Sequence, residues 1–291
     1  MVLEIASEKY LIQVNPDKGG RVERFTYSKD GEDVDIFKPK PEHNFDQDRV
    51  PLYGSFAMVP FCNRLRPSTV LTSDGPVYVP TNWTEQACAI HGLGLTEKWT
   101  PQDIRKDSFH LSTKLYSNEG KCIGIGMQEF EVSDQKGFLS RVGFRSNQFD
   151  WIKAGLGFHP WFNLAKGEAN LKFVADGKFA TDKRLIPTSY NVLENKEVNL
   201  SSRQNNGMDS CFGRWGGSSK LTLDQADIIL EISSSASILH VYINKDLEAI
   251  CVEPVSHVTN AMHDQRWDGF AGMNKVRQGE TIWLDMRIQI H

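Results

Sequence analysis

The stretch Thr281–Ile290 reads TIWLDMRIQI, and apolar residues occupy every even-numbered position in it from Ile282 to Ile290. The odd-numbered positions carry Thr, Trp, Asp, Arg and Gln. Successive side chains of a β-strand point to opposite faces of its sheet, so a period of two predicts a long strand that buries one face. The chain is therefore expected to contain a sheet with a core side and an outer side.

The same alternation recurs along the chain and predicts further strands. Phe109–Leu115 and Leu239–Ile243 show it over shorter runs. Other segments with strand composition are Tyr10–Val14, Val77–Val79, Gly137–Phe144, Asn170–Val174 and Ala226–Ile232. Asp-Gly or Gly-Gly pairs at 30–31, 74–75, 176–177 and 216–217 are turn signals between strands.

Helical periodicity is scarce in this sequence. Thr259–Asp268 is the segment that could hold a short helix, and no segment has four turns of apolar stripe. Strands separated by turns rather than by helices indicate antiparallel sheets and argue against a βαβ fold. We predict one all-β domain, an antiparallel β-sandwich over residues 1–291. A division into two domains is the alternative that the length leaves open.

Composition and charge exclude several classes of protein. Apolar residues make up 40% and charged residues 24% of the 291 residues, as in ordinary globular proteins. The net charge of −4 argues against nucleic-acid and anionic-membrane partners, which select a basic surface. No apolar run reaches the ~18 residues of a membrane span, and the N-terminus lacks the basic start and apolar block of a signal peptide.

The cysteines indicate the compartment. Five of them are scattered along the chain and never form a C-x-x-C pair: Cys62, Cys88, Cys122, Cys211 and Cys251. An odd number of separated cysteines is typical of free thiols in a reducing environment, so we expect a cytoplasmic protein.

Polar residues interrupt the strand pattern at several short segments. Asn63-Arg64 lies inside an apolar stretch, where an unpaired guanidinium would be costly to bury. Arg64 is therefore either part of a structural ion pair or a donor fork for a polar ligand. His91 precedes Gly92-Leu-Gly94 and either projects into a cleft or bonds a loop carbonyl.

The most specific segment is GLGFHPWFNL, residues 155–164. Pro160 directs His159 towards an extended conformation. The aromatic residues around it, Trp161 among them, form either part of the core or an apolar wall on which a carbohydrate face can stack.

Two carboxylates complete the set of candidate site residues. Asp209 is either a turn former or a site residue, and Glu253, before Pro254, is either a buried base or a rim residue.

The spacing of these residues excludes other chemistries. The chain has no H-E-x-x-H, Cys/His quartet, G-x-S-x-G or Walker sequence. Glu253 and His257 would need a helix to share a metal, and Pro254 disfavours one. Gly92-Leu-Gly94 lacks the third glycine and the βαβ setting of a dinucleotide site. We expect neither a metal nor a cofactor.

Taken in order, these segments resemble the aldose 1-epimerase (galactose mutarotase-like) family. The matching pieces are Asn63-Arg64, His91-Gly92, the run from His159 to Leu164, Asp209 with Phe212, and Glu253-Pro254. The resemblance implies an antiparallel β-supersandwich with an open sugar-binding cleft. It also implies an isomerase that interconverts the α and β anomers of a free aldose without cofactor or metal.

The resemblance assigns catalytic roles to three residues. His159 matches the general acid that protonates the ring oxygen, Glu253 the general base that takes the proton of the C1 hydroxyl, and His91 the second cleft histidine. Opening a cyclic hemiacetal requires both proton transfers, so an acid and a base must face each other across the sugar. We expect neighbouring carboxylates to hold His159 protonated against the effect of burial, because an open cleft stays partly hydrated.

The resemblance also implies how the sugar is bound. Arg64 matches the arginine that bonds sugar hydroxyls, and Asp209 matches the aspartate that orients the ring. Asn63 is a further hydroxyl partner, and Trp161 is a candidate to stack on the ring. We expect all of these groups to converge with the catalytic residues on one cleft.

Alternatives remain open at this stage. A hexose-6-phosphate 1-epimerase, or one for another acidic sugar, would need extra cations, for which Arg66, Arg203 and Arg214 are available. A catalytically silent sugar-binding protein is disfavoured, because a pure binder needs no acid/base pair such as His159 and Glu253. We expect a monosaccharide as substrate, no nucleic-acid or membrane partner, and a monomer or homodimer.

Overall fold

A computed structural model describes residues 2–41, 50–244 and 246–291. Within these residues the chain forms 26 β-strands and four short 3₁₀-helices. None of the described helices is long and apolar enough to cross a membrane.

The strands follow one another along the whole chain. The first thirteen are β1 Leu3–Ala6, β2 Tyr10–Asn15, β3 Arg21–Lys29, β4 Glu32–Asp35, β5 Ser55–Met58, β6 Arg64–Leu65, β7 Thr69–Thr72, β8 Gly75–Tyr78, β9 Ala89–Ile90, β10 Thr100–Gln102, β11 Ser108–Tyr116, β12 Cys122–Ser133 and β13 Gly137–Arg145. The others are β14 Trp151–Ala154, β15 Gly157–Asn163, β16 Ala169–Val174, β17 Gly177–Thr181, β18 Pro187–Val192, β19 Glu197–Ser201, β20 Asp209–Gly213, β21 Ser218–Leu223, β22 Ile228–Ser233, β23 Ile238–Asn244, β24 Ala249–Val255, β25 Asn274–Arg277 and β26 Thr281–Ile290. Each strand predicted from the alternation coincides with one of these to within two residues at each end.

The 3₁₀-helices are single turns at Thr84–Gln86, Asp224–Ala226, Ala261–His263 and Gln265–Trp267. The last two replace the short helix expected at Thr259–Asp268. Asn260 has a left-handed backbone with φ of 60°, and Asp264 is extended with φ of −122° and ψ of 95°. Those two conformations interrupt the helical backbone, so the segment forms two separate turns.

Two large antiparallel sheets make up the sandwich. One has eleven strands in the order β1-β2-β3-β5-β15-β24-β23-β20-β17-β18, with β4 paired to β3. The other has nine strands in the order β10-β11-β12-β13-β26-β22-β21-β16-β19. A four-stranded sheet, β25-β14-β7-β8, and the ribbon β6-β9 complete the architecture.

The turn signals fall into two groups. Those at 30–31 and 74–75 close the hairpins β3-β4 and β7-β8. Those at 176–177 and 216–217 lie where the chain passes from one large sheet to the other, between β16 and β17 and between β20 and β21. The same residue pairs therefore serve both hairpins and inter-sheet connections.

Aromatic side chains from the two large sheets meet in the core. The rings of Phe25 and Phe138 lie with centroids 5.2 Å apart, and those of Phe173 and Phe212 lie 5.0 Å apart. Each pair joins one strand of the eleven-stranded sheet to one of the nine-stranded sheet. The predicted antiparallel β-sandwich is confirmed, and its assignment as a single domain over 1–291 stays a prediction.

Candidate active site

A cleft of about 1030 Å³ opens on the face of the eleven-stranded sheet that lies opposite the core. Every site residue expected from the sequence lines it: Asn63, Arg64, His91, His159, Trp161, Asp209 and Glu253. The structure thus brings together groups that are up to 190 positions apart in the chain.

Strand register sets the floor of the cleft. Strands β15 and β24 pair Gly157 with Val255 and Trp161 with Cys251, which places His159 opposite Glu253. Glu253 is in turn the partner of His240 on β23, and His240 is the partner of Cys211 on β20. Four neighbouring strands therefore present one row of side chains in the order His159, Glu253, His240 and Cys211.

The imidazole of His159 stacks on two aromatic rings. Its centroid lies 4.8 Å from that of Phe56 and 5.0 Å from that of Trp161, and both rings stack nearly parallel to it. Its Nε2 lies 3.4 Å from Oε1 of Glu253. The stacking fixes the plane of the ring, so Nε2 stays directed at the carboxyl group.

Burial governs the protonation of this pair in the free site. His159 is 5% and Glu253 is 2% exposed. Burial, helped by the charge of His240, lowers the pKa of His159 to about 3. Burial also raises the pKa of Glu253 to about 8, against the opposing charges of His240 and Arg64. At neutral pH the pair therefore holds one proton, and that proton is on Glu253.

The expectation that His159 is held as an imidazolium is therefore wrong for the free site. It assumed a hydrated cleft, but His159 is buried and stacks on Phe56 and Trp161, which keep water away from its ring. Without that water, the charged form loses more solvation than the neighbouring carboxylates restore.

His91 packs against His159 from the loop that follows the ribbon β6-β9. Their rings meet edge to face with centroids 4.9 Å apart, and Nδ1 of His91 lies 2.8 Å from the sulfur of Met58. His91 has a left-handed backbone, with φ of 57°. Burial, reinforced by His159 and Arg64, lowers its pKa well below the usual range, so His91 is neutral.

Asn63 holds Arg64 in place. Its side-chain oxygen accepts hydrogen bonds from the backbone N–H of Arg64 at 2.8 Å and from Nη1 at 2.9 Å. Nε of Arg64 donates to Gln86 at 2.9 Å, and the guanidinium lies 5.0 Å from the ring centroid of Trp83. Arg64 thus keeps further N–H groups for a ligand, since a guanidinium has five.

The pair formed by Asp209 and His240 was not expected from the sequence. Nε2 of His240 lies 2.7 Å from Oδ1 of Asp209. Burial opposes charge on both groups, but their hydrogen bond and mutual attraction prevail, so the pKa of Asp209 is lowered. Glu253, Asp209 and Cys211 together raise the pKa of His240 well above its usual range. One signal existed: His240 lies on the polar side of the predicted strand Leu239–Ile243.

Trp161 supports His159 rather than presenting an open face. It is 2% exposed, and its indole N–H has no partner among the described residues. The N–H is therefore a spare donor in the wall of the cleft, whereas the ring is occupied by the imidazole. Trp83 is more exposed and also lines the cleft, which makes it a better candidate to stack on a sugar.

Three buried side chains could in principle contact a metal ion. Ligand atoms of His159, Cys251 and Glu253 all lie within 4.8 Å of one another. A metal here would occupy both groups of the proton-sharing pair, and burial keeps the Cys251 thiol protonated by raising its pKa. The donor set therefore fits an acid/base pair better than a metal centre.

Comparison with known proteins gives one family match and several solved structures with the same fold. The family model for aldose 1-epimerase matches residues 1–289. The search of curated protein sequences returned no match. Among solved structures, a GalM/aldose epimerase homologue from C. elegans superposes with a TM-score of 0.82 at 15% identity, covering 100% of this chain and 98% of that one.

Two further structures show the same fold at low identity. A galactose mutarotase-like protein from Clostridium acetobutylicum has a TM-score of 0.80 at 18% identity, with coverage of 100% and 95%. A galactose 1-epimerase from Lactobacillus acidophilus NCFM has a TM-score of 0.72 at 13% identity, with coverage of 97% and 91%. These similarities concern the fold alone.

Proposed function

Because the chain belongs to the aldose 1-epimerase family, we propose that it interconverts the α and β anomers of a free aldose. The observation that carries this proposal is the buried pair of His159 and Glu253, 3.4 Å apart on the floor of the cleft. A protein that only bound sugars would gain nothing from burying an imidazole against a carboxyl group.

Mutarotation requires two proton transfers, and this pair has the groups for both. In ring opening, the C1 hydroxyl gives its proton to Glu253 and His159 gives a proton to the ring oxygen as the bond between C1 and that oxygen breaks. The pair changes from imidazolium and carboxylate to imidazole and carboxylic acid. After rotation about the C1–C2 bond, ring closure on the other face of the aldehyde reverses both transfers and regenerates the starting pair.

The free site already holds the one proton that this cycle needs. Burial places it on Glu253, and the imidazolium-carboxylate arrangement forms when sugar hydroxyls enter and solvate the charges. The two arrangements differ only in the position of a proton between neighbouring groups. Neither one requires a proton from bulk water during turnover.

The charges of the cleft favour a neutral sugar. Lys38 and Lys40 line it together with the acidic residues Glu85, Asp246 and Glu248. This balance provides no excess positive charge for a phosphate or sulfonate.

The arginines suggested for an acidic sugar lie elsewhere. Arg203 pairs with Glu168 at 2.9 Å, and Arg214 lies 3.9 Å from Asp176. Arg66 donates to the backbone oxygen of Gln86. None of the three lines the described cleft. The free aldose is therefore the better-supported substrate class.

We propose the cytoplasm as the compartment. All five cysteines are free thiols, which a reducing environment maintains.

Polarimetry on freshly dissolved α-anomers tests the function. We expect the protein to accelerate equilibration of at least one free hexose or pentose above the buffer rate, in the presence of EDTA. A matched hexose 6-phosphate should be a poorer substrate. Failure with every free aldose would refute the proposal, and a preference for the phosphate would replace it with the acidic-sugar alternative.

A further inference from the structure

His240 lies one strand away from Glu253, and Asp209 holds its side chain. Its Nε2 lies 2.7 Å from Oδ1 of Asp209, and Cys211 is its partner in the register of β20 and β23. The residue is 8% exposed and lies in the cleft beside Glu253, its partner in the strand register. His240 was not among the site residues expected from the sequence.

We propose that His240 is a positioning residue for the epimerase reaction, held by Asp209 so that it keeps a fixed positive charge beside Glu253 throughout turnover. This inference rests on the proposed function, since it concerns the acid/base pair of that reaction. His240 itself neither donates a proton to the sugar nor accepts one from it.

The need for such a charge follows from the burial of the pair. A buried carboxyl group prefers to keep its proton, yet ring opening requires Glu253 to accept one. A cation on the neighbouring strand stabilises the carboxylate. The same cation also disfavours the His159 imidazolium, but His159 lies two strands away. Because Coulombic interactions weaken with distance, this effect is smaller than the effect on Glu253. The net effect favours the arrangement in which His159 carries the proton.

Other groups around Glu253 do not supply this charge in the same way. Those that face it from the elements packed against it are His159 on β15, His240 on β23, Asp209 and Cys211 on β20, Arg64 on β6, Cys251 on its own strand and Cys62 before β6. Asp209 opposes ionisation of Glu253, and its pairing with His240 offsets that effect. Arg64 is the other cation, and its guanidinium donates to Asn63 and Gln86.

The charge of His240 is tested directly by NMR titration of the histidine rings in the wild-type protein. We expect the His240 ring to remain doubly protonated at pH 8. His257, also buried but bonded to the backbone groups of Cys62 and Val258, serves as the neutral reference, with a pKa of about 4. A His240 ring that loses its proton below pH 7 would overturn the proposal whether or not the protein has epimerase activity.

The effect on Glu253 is tested with His240→Gln, whose amide can still donate to Asp209. We expect the pKa of the Glu253 carboxyl, followed by ¹³C NMR, to rise by about one unit, and the alkaline limb of kcat/KM to move upward equally. kcat at neutral pH should fall about tenfold, with a smaller change in KM. His263→Gln, outside the cleft, is the matched control and should leave the profile in place.

The two readouts separate the possible failures. A Glu253 titration that does not move in His240→Gln would refute the positioning role. A titration that moves, in a protein that turns over no aldose, would refute the proposed function and leave the electrostatic coupling established. If His240→Gln does not fold, the wild-type ring titration still decides whether the fixed charge exists.

Discussion

Glu253 is the residue on which the proposed chemistry depends most. Glu253→Gln preserves the shape of the side chain but removes its capacity to take a proton. We expect kcat to fall by roughly 10²–10⁴-fold, the usual contribution of a positioned acid or base. Glu231→Gln, on β22 of the other large sheet, provides the matched control and should retain activity. Near wild-type kcat in Glu253→Gln would move the base to another cleft residue such as Asp209.

The shared proton of the pair predicts the pH dependence of the reaction. Above about pH 8 Glu253 loses the proton that burial had retained, and the pair has none left to give to the ring oxygen. We therefore expect kcat/KM to decline above about pH 8. Between that pH and pH 5 kcat/KM should stay constant, because His159 gains a second proton for the pair only near pH 3. These limits belong to the coupled pair rather than to either residue.

Initial rates corrected for the buffer-catalysed reaction provide the measurement. An alkaline decline centred near pH 6.5, where an exposed histidine titrates, would show that His159 is hydrated and charged in the working enzyme.

Arg64 is expected to act through binding. A guanidinium in a protein offers only hydrogen-bond donors, so Arg64 can hold hydroxyl groups but does not take part in proton transfer. Arg64→Ala should raise KM by roughly tenfold or more, since hydrogen bonds from a charged donor contribute about 1.5–3 kcal/mol. The loss in kcat should be smaller, as expected when binding of substrate and transition state weakens equally. An unchanged KM with a large loss in kcat would assign Arg64 to the transition state instead.

At the scale of elements, β26 is a central strand of the nine-stranded sheet. It lies between β13 and β22, and Ile288 is fully buried opposite Phe138 and Ile232. Ile288→Ala leaves a cavity where the strand has no freedom to collapse, so we expect the free energy of unfolding to fall by about 2–5 kcal/mol.

Gln289→Ala, one residue along the same strand, is the matched control. Its side chain points to the opposite face, so it should change the free energy of unfolding by at most about 0.5 kcal/mol. Urea unfolding of both variants makes the comparison. Equal effects at the two positions would contradict the assignment of faces to β26.

For the whole molecule, buried histidines predict a loss of stability in acid. Burial lowers the pKa of folded His257 to about 4, whereas an unfolded histidine titrates near about 6.5. Between these values the unfolded chain binds the extra proton, so stability falls as pH falls through that window. A depression of this size corresponds to roughly 3 kcal/mol. His159 acts in the same direction, whereas Glu253, with its raised pKa, favours the folded state more at acidic than at alkaline pH.

His257→Gln isolates one contribution to this behaviour. Between pH 6.5 and 4.5 the variant should lose less unfolding free energy than the wild type, because only the wild type has this imidazole to protonate on unfolding. The effects of His159 and Glu253 are common to both proteins and cancel in the comparison. Parallel stability curves for the two proteins would show that His257 is protonated in the fold.

The sequence by itself determined the strands that show clear alternation, together with their inner faces. Alternation in Thr281–Ile290 reports burial directly, because a period of two separates core from outer face without knowledge of the neighbouring strands. The polar interruptions from Asn63 to Glu253 also marked all the expected cleft residues, since polar groups among buried aromatics are costly without a purpose.

Only the tertiary structure decided what the outer face does. Pairing of β15, β24, β23 and β20 joins residues that are distant in the chain, and nothing local to Leu239–Ile243 distinguishes a strand facing solvent from one facing a cleft. His240 was missed for that reason. The protonation of His159 was misjudged for a related reason. Its pKa depends on the water that Phe56 and Trp161 exclude, and this solvation is a property of the packed site rather than of the sequence around the residue.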